Sequence, residues 1–199
     1  MTEGTGISRA RLVHGGAALV LSGSLASALA VPASAGTAPD GDLAALRLLI
    51  GAELLALDFQ RQALATGKLG SEAAATVKRM RADERAHYAA LANLLSQAGQ
   101  TPATADDIDF AYPKPTFRTE SSILARGEEL EALQLGAYIG ASANLQTPRL
   151  RIAIAQISAN EAQHTAALAA LSGRPLIGKP FGPALQPDAV SAALDAYES

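Results

Sequence analysis

Apolar residues recur at steps of three and four along four stretches of the chain, and every one of these stripes is interrupted by an acid near its middle. The first stripe is Leu46, Ile50, Glu53, Leu57 and Leu64. The second is Val77, Met80, Glu84, His87, Leu91 and Leu94, with steps of 3, 4, 3, 4 and 3. The third is Leu124, Gly127, Glu131, Leu135 or Gln134, Tyr138 and Leu145, and the fourth is Leu150, Ile154, Ile157, Glu161, His164, Leu168 and Leu171. This period belongs to helices that pack along a shared seam. It predicts an all-α fold, an antiparallel four-helix bundle.

Punctuation residues set the expected limits. Helix one is expected from about Leu43 to Ala65, stopped by Thr66-Gly67, and helix two from Ser71, read as its N-cap ahead of Glu72, to about Ala98 before Gly99. Helix three is expected from Thr119 or Ser121 to about Leu145. Helix four is expected from Pro148, suited to a first helical turn, to Ser172-Gly173. The first and third connections are short and therefore join antiparallel neighbours. The second, roughly residues 100–118, contains Pro102, Pro113 and Pro115 and lacks a helical period, which predicts one long crossover between helices two and three. The bundle is thus expected over residues 43–173. A tail over 174–199 with four prolines would follow it, ending in a short helix over DAVSAALDAY.

The first 35 residues read differently. Arg9 and Arg11 precede a mildly apolar run, and Pro32 with Ala33-Ser34-Ala35 offers a cleavage site before Gly36. This is the pattern of a bacterial export signal, with residues 36–42 as a linker; a retained membrane anchor is the competing reading, since the run is close to spanning length. Removal of the signal would take His14 with it, so the two remaining histidines are His87 and His164.

Composition narrows the chemistry. Hydrophobic residues make up 49% of the chain but aromatics only 4%, a helix-favouring mixture dominated by Ala and Leu. The net charge of −3 and the lack of a basic run give no reason to expect nucleic acid as a partner. The chain has no cysteine, which removes disulfides, thiolate chemistry and sulfur-ligated iron. Four carboxylates set into one core would repel each other, and each charge costs several kcal/mol to desolvate. Two divalent cations would offset that charge, and two neutral imidazoles would complete their coordination. A lone E-x-x-H is weak. Two of them, in phase with core seams and matched by an acid on each remaining helix, make Glu53, Glu84, His87, Glu131, Glu161 and His164 a candidate metal set. Glu72, Glu120, Glu128 and Glu129 fall near helix starts or off the seam and read as solvated or as complementing the helix dipole.

The pattern Glu53, Glu84-x-x-His87, Glu131, Glu161-x-x-His164 resembles the ferritin-like superfamily of di-iron and di-manganese carboxylate proteins, whose bundles share the long middle link. ELEALQLGAYIGA and ISANEAQHTAAL further resemble exported ferritin-like and desiccation-related proteins. The resemblance covers residues 43–173. It implies that Glu84 and Glu161 bridge or chelate two metals, that His87 and His164 bind one each, and that Glu53 and Glu131 are terminal ligands. It implies that Asp83 holds a ligand histidine through its second ring nitrogen. Asn160 takes the corresponding place in helix four, and Ala86 stands where members often carry an arginine.

Tyr138, seven residues after Glu131, is open to two readings: a group that tunes the metals or relays an electron, or a core tyrosine with its hydroxyl satisfied. Gln60 and Gln134 stand either beside the ligands or on the surface. The cofactor so implied is two iron or manganese ions, with iron ahead, and dioxygen or peroxide as the reacting partner. A stress- or desiccation-associated structural protein with little chemistry is the alternative. A mineral-storing cage would need a shell-forming homo-oligomer.

Overall fold

The computed structural model describes residues 38–176, 178 and 181–198. The export signal expected over residues 1–35 lies outside them. Among the described residues five helices follow in order: α1 Asp40–Ala65, α2 Ser71–Gln97, α3 Glu120–Asn144, α4 Pro148–Leu171 and α5 Pro187–Asp195. The hairpins α1–α2 and α3–α4 pack against each other through α1 with α3 and α2 with α4, which closes a four-helix bundle. Among the described residues no helix is long and apolar enough to cross a membrane.

The helix ends show how local chemistry sets the limits. Gly67, Gly99 and Gly173 follow α1, α2 and α4 with φ of 65°, 76° and 67°. That left-handed conformation terminates a helix at little cost only in glycine. Pro148 opens α4. Thr119 caps α3 in a reciprocal box, its Oγ1 accepting from the Ser122 amide while Ser122 Oγ accepts from the Thr119 amide. Two expectations need correction. Ser71 is already helical, and the N-cap is Gly70, whose amide donates to the Glu120 carboxylate from α3. In addition, α1 starts at Asp40, so residues 40–42 of the expected linker are helical. Asp40 and Asp42 complement the dipole of that first turn. The Asp42 carboxylate is buried and accepts the backbone amides of Gln146 and Thr147 at 2.8 Å each. This clamp ties α1 to the α3–α4 turn.

The long crossover carries no helix and is held by side chains. Tyr112 donates to the Leu55 carbonyl at 3.2 Å and to Asp58 at 3.1 Å, and Tyr88 donates to the Ala103 carbonyl at 2.9 Å. Phe59, Tyr112, Phe117 and Tyr197 form one aromatic group. The tail folds back along the bundle. The Leu185 amide donates to the Gly136 carbonyl at 2.9 Å, and Val190 and Leu194 of α5 are buried. A Cβ on Gly140 would lie 1.9 Å from the Leu185 carbonyl oxygen, so glycine is what admits the tail there.

Candidate metal centre

The seams of α1 to α4 meet at one level of the bundle, and the acids that interrupt them meet there too. Glu53 from α1, Glu84 and His87 from α2, Glu131 from α3 and Glu161 and His164 from α4 are all buried, none more than 4% exposed. Their donor atoms form two groups, Glu53, Glu84, His87 and Glu161 in one and Glu84, Glu131, Glu161 and His164 in the other, each with ligand atoms within 4.8 Å of one another. Glu84 and Glu161 belong to both.

The distances show how they are shared. His87 Nδ1 lies 3.1 Å from Glu84 Oε2, 2.9 Å from Glu161 Oε1 and 3.8 Å from Glu53 Oε2. His164 Nδ1 lies 3.2 Å from Glu84 Oε1, 3.5 Å from Glu161 Oε2 and 3.3 Å from Glu131 Oε2. Glu84 and Glu161 each turn one oxygen to each imidazole. The ring centroids are 6.1 Å apart. Spacing E-x-x-H puts acid and imidazole on one helix face one turn apart, and antiparallel packing sets the two motifs against each other.

The donor set fits divalent cations. Glu53 Oε2, Glu131 Oε2, both oxygens of Glu161 and His164 Nδ1 are buried without a hydrogen bond. Several of these atoms nonetheless sit within 2.9–3.5 Å of a ring nitrogen. Atoms so close yet poorly aligned for hydrogen bonding converge on common points. Ligands roughly 2.1 Å from an ion in octahedral geometry lie roughly 3.0 Å from one another. Hard oxygens with two imidazoles suit iron or manganese.

Electrostatics of the protein atoms alone reflect the crowding. Burial, reinforced by Glu84 and Glu161, pushes Glu53 well above the usual carboxylate range, and burial with Glu84 does the same to Glu131. Burial also works against a charged Glu84, but hydrogen bonds from His164 and His87 outweigh it and hold that carboxyl low. For His87, burial opposes the charged ring, yet Glu161 and Glu84 prevail and carry it up to about 9. His164 moves up as well, with Asp83 and three glutamates overcoming burial. Without cations, Glu53 and Glu131 therefore collect protons.

Around these ligands, Asp83 Oδ2 lies 3.3 Å from His164 Nε2. Tyr138 is fully buried, and its hydroxyl donates to Glu53 Oε1, so the tyrosine is both a core residue and a neighbour of the site. Asn160 is half-buried and makes no side-chain hydrogen bond among the described residues. Gln60 proves to be beside the ligands. Its Nε2 lies 3.3 Å from Glu84 Oε1 and 3.5 Å from Glu131 Oε1. Gln134, rather than Leu135, occupies the seam, with both amide atoms buried and unpartnered. The sequence carried a signal for Gln60 in its spacing, since it follows Glu53 by two helical turns. Glu128 corrects another expectation. It is only 6% exposed and is held by Ser172 and Arg174, because the end of α4 folds over it.

Residues 41–174 match the family model described as Ferritin-like domain. No curated protein matches the chain.

Proposed function

The chain belongs to the ferritin-like domain family, and from that premise we propose that it is an exported protein whose bundle holds two iron or manganese ions and uses them on dioxygen or peroxide. The carrying observation is the sharing of Glu84 and Glu161, each with one oxygen toward His87 and the other toward His164. Glu84 and Glu161 would bridge, His87 and His164 would bind one ion each, and Glu53 and Glu131 would complete the set. Such a pair of ions supplies two electrons when bound, one from each.

The chain's own residues supply the surroundings. Ile50, Leu91, Ile154 and Ile157 are almost fully buried near the ligands on the same seams and exclude water. Asp83 orients His164, and Gln60 holds Glu84 and Glu131. The Tyr138 hydroxyl keeps its proton and donates a hydrogen bond to Glu53 Oε1, since burial and the neighbouring Glu53 push the phenol well above its ordinary range.

Metal content per protomer, by mass spectrometry on protein grown with both iron and manganese, tests the reading. About two ions in the wild type, lost in His87→Ala/His164→Ala, is the expected result, followed by oxygen or peroxide consumption. A wild type that stays helical and takes up neither ion would overturn it and leave a structural bundle with a protonated polar seam.

A further inference from the structure

The bundle has an approximate internal repeat, α1–α2 against α3–α4, and the site can be compared across it. The residue two turns after each terminal acid reaches over to the opposite acid. Tyr138, seven after Glu131, donates to Glu53, and Gln60, seven after Glu53, donates to Glu131. The positions correspond but the chemistry does not. One acid is braced by a phenol, the other by an amide that also holds the shared Glu84.

The same break occurs behind the imidazoles. The residue before Glu84 is Asp83, which engages Nε2 of His164 on the facing helix. The residue before Glu161 is Asn160, which makes no side-chain hydrogen bond among the described residues. Among the described residues, all polar contacts of His87 run through Nδ1. A carboxylate behind a ligating imidazole fixes the ring and raises its basicity, and its loss typically weakens metal binding about 10- to 100-fold. One half-site has that support and the other lacks it.

We infer that the two metal positions are unequal, the Glu131–His164 position binding the tighter ion and the Glu53–His87 position the exchangeable one, with Asp83 and Asn160 as the positioning residues that set the difference. This rests on the dinuclear reading above. Gln60 adds to it by fixing Glu131 and Glu84 together, whereas the corresponding brace on Glu53 is the Tyr138 hydroxyl.

Titration of the metal-free full-length chain with Mn(II), following free ion by electron paramagnetic resonance, tests the inference. Repulsion between ions already separates two steps, so the variants decide. Asp83→Asn should weaken the first step about 10- to 100-fold and bring the two together, at an unchanged total of two ions. Asn160→Asp should leave the first step in place and tighten the second. Anomalous scattering from wild-type crystals at one equivalent should place manganese beside His164. If Asp83→Asn moves both steps equally, if Asn160→Asp tightens neither, or if the first ion sits beside His87, the inference fails. No binding by the wild type would instead overturn the dinuclear reading itself.

Discussion

Asp42→Asn probes how the two hairpins are held in register around the site. The Asp42 carboxylate, 1% exposed, accepts one backbone amide on each oxygen, Gln146 on Oδ1 and Thr147 on Oδ2, both at 2.8 Å. Asparagine keeps one acceptor and turns an NH2 toward the other amide, so one charge-assisted bond disappears and a buried N–H is left facing a donor. Hydrogen bonds to charged groups contribute about 1.5–3 kcal/mol each, which puts the loss at about 2–3 kcal/mol. For a chain of this size that is a fall in Tm of about 4–12 °C. The pH dependence has a definite sign. Burial alone would raise the Asp42 pKa, but hydrogen bonds from Thr147 and Gln146 and the charge of Arg151 outweigh it and lower it. A lowered value stabilises the fold above the ordinary aspartate range, and that contribution is lost as the pH falls through the folded-state value. Circular-dichroism melts of wild type and variant should therefore differ by a constant gap between about pH 5 and 8, narrowing below about pH 4. A gap under about 1 °C at neutral pH, or one that widens in acid, would refute the clamp.

Three further outcomes are expected. Metal-free protein should lose stability as the pH rises: His87, raised to about 9, stabilises fully below its unfolded value near 6.5 and stops doing so through 9, about 3 kcal/mol in all; melts after chelation check this, and a flat Tm across that window would contradict it. Tyr138→Phe removes a buried hydroxyl bonded to Glu53, leaves that carboxyl short of a partner and should cost about 1–3 kcal/mol, read from denaturant midpoints. Gly140→Ala should displace the tail, because its Cβ would overlap the Leu185 carbonyl, so limited proteolysis should cut the segment before α5 faster while the four-helix core stays resistant.

The seam pattern by itself determined the four bundle helices, their glycine stops, the crossover and the six polar intruders, because helical periodicity and burial are written into residue spacing. That is local information. It could not show that Glu84 and Glu161 each serve both imidazoles, since the pairing depends on how antiparallel helices slide past each other. Nor could it place Gln60 against Glu131, or bury Glu128 beneath Arg174, because those contacts join elements far apart in the chain. Ser71 looked like a cap and Asp42 like a linker residue for the same reason: Glu120 and the Gln146–Thr147 amides, which decide their roles, arrive from another hairpin. Spacing along one helix tells which side chains face inward. Only packing decides which of them meet.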